Sequence, residues 1–336
     1  MAPARERITL AVLPPQNTTG EADCDHWQYT LALLLKAQLQ ETEALCILPR
    51  GSGRFQSDSC AQFCCSDLSK APGAVYDLAR ETGRKIGADR VVWGNYAVEG
   101  QNRRLTVWVA GVGTGDASGP FTAEASDWLG VVCKTRRCIL KALGVVPTPE
   151  EKKKMDFPVT TSALALEFFS RALGAENAGD AAAAIEQYLR QSIALDPNFA
   201  IAQESLGSVL AAQNLWDEAA DAVRNAIALR PDRSVGHQLL GEILFTKGAW
   251  ENSKDEQRFA KQELLKAKEM DPENPDTLES LGLFYGHVDD KWEEAISLLR
   301  SAQRLSPNSA SLHMDCVEAY FNLAQRDKSA RRGANN

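Results

Sequence analysis

Four prolines punctuate the second half of this chain at a nearly constant interval. Pro197, Pro231, Pro272 and Pro307 stand 34, 41 and 35 residues apart. The same residues return around each of them. Leu206-Gly207, Leu240-Gly241 and Leu281-Gly282 open three of the intervals. Ala219, Ala260 and Ala295 each stand 12 residues before the next proline, and Ala226, Ala267 and Ala302 each stand 5 before it. A spacing of this size leaves room for two short helices and their turns, so the period predicts stacked helical hairpins.

The phased residues have a physical role in such a hairpin. Gly in the first helix and Ala in the second leave room for the partner's Leu and Tyr side chains, so two antiparallel helices can close on each other. Proline then stops the second helix, because it lacks an N–H and disfavours a helical residue before it. One hairpin cannot bury its own apolar face and must stack on neighbours. This pattern resembles the tetratricopeptide repeat, and the resemblance covers about half the chain, 163–326, as roughly four repeats and a terminal helix.

The intervals differ in instructive ways. The first, 163–197, lacks the Leu-Gly register and carries one extra residue between Ala184 and Pro197, as a capping repeat would. The third holds seven extra residues within 248–259, so either its turn is extended or its second helix starts early. The fourth has one extra residue near Asp289-Asp290. After Pro307 one helix fits, over 309–325, with Tyr320 where Tyr285 stands in the preceding interval. The segment 327–336 has no apolar period and is expected to be disordered.

The first half follows another rule. Ile8 to Leu13 is an apolar strand run ended by Pro14-Pro15, and a polar turn over 16–25 leads to a helix from about Trp27. A short apolar strand over 45–48, a helix over 75–86, strands over 90–98, 105–110 and 120–125, and a helix over 128–143 follow. The order β-α-β-α-β-β-β-α predicts an α/β domain of three-layer type with a mixed sheet, over 1–146. Ala11-Val-Leu-Pro14 with Asn17 and Gly20, Arg90-Val-Val-Trp-Gly94, the hairpin at Gly100, Thr114-Gly115 and Leu143-Gly144-Val145 resemble the amino-terminal domain of the translocation protein TolB. That resemblance implies a non-catalytic accessory module, which in bacterial signalling proteins often follows a membrane helix bearing a kinase, cyclase or DNA-binding domain. Between the two domains, 147–162 reads as a linker, extended and exposed because its first stretch, 147–154, carries two prolines and five charges.

Composition narrows the function classes. The net charge of −8 and pI near 5.2 argue against a nucleic-acid partner, since a phosphate backbone is gripped by clustered Lys and Arg. No apolar run reaches the eighteen or so residues of a membrane span, and the start of the sequence carries no signal-peptide core, so a chain without direct membrane insertion is expected. Catalytic patterns are absent. Gly111-Val-Gly-Thr-Gly115 lacks the Lys-Ser/Thr of a phosphate loop and lies between strands, where a turn is needed. His26, His237, His287 and His313 are dispersed, and no nucleophile has a partner, so neither enzyme activity, cofactor nor metal is expected.

Seven of the eight cysteines fall in the first half. Cys60, Cys64 and Cys65 crowd a polar loop, and their spacing is a poor zinc pattern. Disulfides in that loop would fit the extracytoplasmic part of a membrane-tethered protein; in a cytoplasmic chain Cys46 and Cys133 are small buried hydrophobes. The crowding favours the oxidised reading. Function is expected in the repeats: a non-catalytic scaffold binding a protein or peptide segment in a groove lined by the first helix of each hairpin. By phase with Leu206-Gly207, the lining set is Glu204, Ser208, Ala211, Gln238, Glu242, Phe245, Glu279, Leu283 and Glu318. Its acidity points to a basic and apolar segment as ligand. The alternatives are the accessory or sensor portion of a larger membrane-anchored signalling protein, and an α/β domain that binds a small molecule. Mass mapping of non-reduced protein from an oxidising compartment is expected to find a disulfide at Cys60, Cys64 or Cys65; eight free thiols there would reject the extracytoplasmic reading.

Overall fold

The computed structural model describes residues 7–48, 72–307 and 309–334, arranged in two compact bodies that meet in sequence at Phe199 and Ala200. The expected disulfide cysteines Cys60, Cys64 and Cys65 lie outside the described residues. Among the described residues Cys24, Cys133, Cys138 and Cys316 are free thiols.

The first body opens with strand β1 (Ile8–Val12), the short β2 (Gln16–Asn17), helix α1 (Trp27–Leu39), β3 (Leu45–Leu48) and α2 (Pro72–Lys85). A meander of β4 (Arg90–Glu99), β5 (Asn102–Gly111) and β6 (Ala117–Ala125) follows, and then α3 (Trp128–Ala142). The sheet order is β3-β1-β4-β5-β6, with β2 added to β4. β1 runs parallel to β3 and β4, while β4, β5 and β6 are antiparallel. The alternation of β4 explains the layers. Val91 and Trp93 point to one face, where they pack with Ala79 of α2 and with Ile86 just after it. Tyr96 points to the other, against Trp128 of α3, which in turn meets Trp27 of α1. Gly94 is required for strand pairing at this point, because a Cβ there would lie 2.3 Å from the Thr106 carbonyl oxygen. The Gly111–Gly115 stretch is the turn between β5 and β6, closed by Gly115 N–H donating to the Gly111 carbonyl.

The segment expected as an extended linker is not extended. It forms helix α4 (Pro149–Met155), started by a capping box in which Thr148 and Glu151 satisfy each other's backbone N–H groups, with Pro149 at the first turn. The helix is tied down at both ends. Glu151 Oε1 accepts from Glu43 N–H at 2.8 Å, and the buried Arg136 guanidinium donates to the Met155 carbonyl and, at 2.6 Å, to Asp156. The five charges of the segment disguised a helix with one buried residue, Met155.

The first hairpin, α5 (Ala163–Ala178) with α6 (Ala182–Leu195), belongs to the same body. Thr30 Oγ1 donates to Ser170 Oγ at 2.9 Å, and Ser170 Oγ to the His26 carbonyl at 3.1 Å. Gly174 allows this approach, since a Cβ there would stand 2.8 Å from His26 Cβ. At the hairpin's end the buried Asp196 carboxylate accepts from the Thr160 hydroxyl and from Thr161 N–H, and the Phe199 ring packs at a tilt against Phe169 with centroids 4.9 Å apart. The expected boundaries at 147 and 163 therefore do not coincide with the change of compact body. An apolar period shows that a hairpin forms, but not which neighbour its face will cover.

The second body holds three hairpins and a last helix: α7 (Ala200–Ala212) with α8 (Trp216–Leu229), α9 (Ser234–Trp250) with α10 (Lys254–Met270), α11 (Pro275–His287) with α12 (Trp292–Leu305), and α13 (Ala310–Ala334). Arg230, Asp271 and Ser306, the residues before the prolines, leave the helical region with φ of −136°, −137° and −135°. The turns inside the hairpins hold a left-handed residue each: Asn214, Asn252 and Asp290, with φ of 62°, 52° and 53°. Asn and Asp tolerate that conformation best among residues with a side chain. The seven extra residues of the third interval lengthen both α9 and α10 to 17 residues, against 13 and 14 in the hairpins on either side. The stretch 327–334, expected as disordered, continues α13 as helix.

Each register glycine marks a close approach between the two helices of its hairpin. A Cβ at Gly207 would lie 2.4 Å from Val223 Cγ2, at Gly241 2.6 Å from Leu264 Cγ, and at Gly282 3.0 Å from Leu299 Cγ. Ala219, Ala260 and Ala295 are fully buried at the opposing positions. Gly241→Leu is therefore expected to overpack the α9–α10 contact and lower stability by about 1–3 kcal/mol. Urea unfolding followed by circular dichroism measures this, and an unchanged midpoint would refute the close contact at Gly241.

Candidate peptide-binding surface

The first helices of successive hairpins, α7, α9, α11 and α13, carry all nine residues expected to line a groove, and the structure links these helices through side chains. Glu204 on α7 is buried and accepts both arms of the Arg233 guanidinium, Nε and Nη2, at 3.2 Å each. Arg233 caps the start of α9, two residues past Pro231, outside the helical phase from which the set was drawn. A bidentate pair at this burial neutralises Glu204 and fixes α7 against α9. Glu204 is thus a structural carboxylate, not an open acidic contact.

The next link joins α9 to α11. Gln238 Nε2 donates to Glu242 Oε1 at 2.8 Å, and Ser280 Oγ donates to the same oxygen at 2.5 Å. Gln238 is 1% exposed and its Oε1 finds no donor. Phe245 and Leu283 are half-buried, and the Phe245 ring packs against Phe284 with centroids 5.6 Å apart. Ser208 donates to the Glu204 carbonyl of its own helix at 3.4 Å, and Ala211 is half-buried beside it in sequence.

A third link joins α11 to α13. Glu279 is half-buried and hydrogen-bonded to Asp315, with Asp276 close by. Burial, the Asp315 hydrogen bond and the negative charges of Asp315 and Asp276 push its carboxyl up to about 8, against a smaller opposing effect from Ser311. At neutral pH it is largely protonated, and it can donate to Asp315. Glu318 is exposed and stands 3.5 Å from His287 Nε2. The acidic character expected of this surface is therefore reduced at Glu204 by an ion pair and at Glu279 by a proton, while Asp276 and Asp315 add carboxyls that phase counting missed. Asp315 could have been found from the sequence, since it repeats the position of Ser280 after its proline.

Among the described residues no group of three or more His, Cys, Asp or Glu is placed to hold a metal ion. His237 is buried with Nδ1 2.6 Å from Glu263, and His313 Nδ1 lies 2.7 Å from the Ser309 carbonyl. Among the described residues no helix is long and apolar enough to cross a membrane.

The elevated Glu279 carboxyl has a consequence for stability. The folded state holds a proton that the unfolded chain releases near 4.5, so this group's contribution is fully present below that pH and is lost as pH rises toward about 8. Glu279→Gln removes the ionisation. It is expected to raise the melting temperature at pH 8 more than at pH 5, as thermal melts at the two pH values would show; equal shifts would contradict the assigned burial.

Residues 166–234, spanning most of the first two hairpins, match the tetratricopeptide repeat family. No curated protein sequence matches the chain. Among solved structures, TTC0263, a thermophilic tetratricopeptide protein of Thermus thermophilus, is 16% identical, covering 51% of this chain and 89% of its own, with a TM-score of 0.44. The Cut9 and Hcn1 hetero-tetramer of the APC/C contains a chain 16% identical over 58% of this chain and 40% of its own, with a TM-score of 0.45. YrrB, described as having an unusual peptide-binding site, is 17% identical over 49% and 80%, with a TM-score of 0.37. The family match is confined to 166–234; beyond it, the phased glycines, alanines and prolines continue the same tetratricopeptide-like hairpin fold through α9 to α12.

Proposed function

We propose that this chain is a non-catalytic scaffold that holds a protein or peptide segment across α9, α11 and α13, and that the segment carries Lys or Arg beside an apolar anchor. The observation that supports it is the surplus of carboxyls on this side of the array. Glu242, Asp276, Glu279 and Asp315 gather within two repeat intervals, beside the half-buried Phe245 and Leu283. Arg233, the cation among them, is already spent on Glu204. A ligand cation beside Glu279 favours its ionised form, so binding releases a proton and tightens as pH rises toward about 8. The α/β body, which resembles the amino-terminal domain of TolB, is read as an accessory module.

Selection of peptides from a random library on the full chain tests this reading, followed by calorimetry on the enriched sequences. Enrichment of Lys or Arg next to Leu, Phe or Met is expected, with affinity that falls with salt. The double variant Leu283→Ala and Asp276→Asn is expected to weaken binding by about tenfold or more, equivalent to about 1.4 kcal/mol, with the circular dichroism spectrum unchanged. Enriched peptides without basic residues, or equal affinity in the variant, would overturn the reading.

A further inference from the structure

Helix α13 is apolar on two sides. Leu312, Cys316 and Ala319 face the array and are buried with Leu299 and Ala302 of α12. On the other side Met314, Val317 and Phe321 are 69%, 65% and 61% exposed, and Tyr320 beside them 47%. Extended by the exposed Ala310, Ala324 and Lys328, the stripe runs 310, 314, 317, 321, 324, 328, a strict alternation of four and three. That is the seam of a helix paired with another helix. A helix face this apolar is ordinarily covered by another element rather than left in water.

The register says what kind of helix can cover it. Val317 stands ten residues after Pro307, the place that Gly207, Gly241 and Gly282 hold after their own prolines. In those hairpins the second helix rests against the glycine, so closely that a Cβ would lie 2.4 to 3.0 Å from a Val or Leu side chain. Valine forbids that approach. α13 also continues as one helix to Ala334, well past the point at which α7, α9 and α11 give way to a turn. A partner helix must therefore sit at the wider spacing of interdigitated side chains.

We propose that this face is an interface between two copies of the chain, made by antiparallel pairing of their α13 helices about a two-fold axis level with Ala319. In this register large residues meet small ones: Val317 lies opposite Phe321 of the second copy, and Met314 opposite Ala324. The flanking polar residues are complementary as well, with the imidazole of His313 opposite the Asp327 carboxylate on both sides of the axis and Ser311 opposite Gln325. Tyr320 meets its own copy. Glu318 also meets its own copy, and His287 of the same chain, 3.5 Å away, offsets that repulsion when protonated. One stripe satisfies itself twice, as an isologous interface requires.

Sedimentation equilibrium of the full chain tests the pairing, with dimer expected at concentrations up to about 100 μM, well above the Kd of a stable interface. Val317→Glu with Phe321→Glu, both at exposed positions, is expected to give monomer with an unchanged circular dichroism spectrum. Asp327→Arg alone is expected to weaken the dimer by about fivefold, and adding His313→Glu to restore it. A wild-type monomer throughout this range would overturn the proposal and leave the face to a helix of another protein. A dimer that survives the double Glu substitution would overturn its location, and a charge swap without rescue its antiparallel register.

Discussion

Close approach of two helix backbones at a single glycine is the contact on which the repeat array rests. Gly207, Gly241 and Gly282 each bring the first helix of a hairpin onto a Val or Leu of the second, and the buried alanines facing them leave no side chain to hold the helices apart. At such spacing the apolar side chains on both flanks interlock, and little is left over for either helix to bury alone. The remaining apolar surface must be covered by the next hairpin, which is why the proline-terminated units stack.

Stacking in turn places the first helices side by side, and polar side chains then secure that row. The Arg233 fork on Glu204, the shared Glu242 acceptor and the Glu279–Asp315 pair each bridge adjacent first helices. These bonds have two effects at once. They hold the row in register, and they decide which carboxyls remain acidic. A surface that counts as strongly negative by composition becomes one with a neutralised end at Glu204 and a protonated centre at Glu279. Where the same register carries valine in place of glycine, at Val317, the close-packed partner is excluded and an apolar seam stays open.

In the first body the corresponding role falls to buried polar anchors. Arg136 gathers the Met155 carbonyl and Asp156 against α3, and Asp196 gathers Thr160 and Thr161 against the end of α6. Arg136, Thr160 and Thr161 lie outside the phased positions of the repeat, so periodicity cannot announce these bonds. Both join segments far apart in sequence, and they make one body of an α/β layer, a short capped helix and a repeat hairpin. The Asp-Pro dipeptide at 196–197 was legible as a helix stop; that its carboxylate is buried and bonded was not.

The sequence by itself determined the local structure: where the hairpins turn, where proline ends them, which glycines lie between helices, and that β4 and β5 pair as a hairpin. These follow from short-range rules of steric fit, period and missing donors, which act within a few residues and need no neighbour. Tertiary structure alone decided the rest. The charges of 149–155 became a helix because Glu43 and Arg136 were there to receive it. The charge of Glu204 is balanced by Arg233, and Glu279 kept a proton because burial and Asp315 surround it. α13 displays Met314, Val317 and Phe321 because its opposite face is the one that packs on α12. In each case the outcome is set by solvation and by charges brought from distant positions, and those energies exist only once the chain has folded.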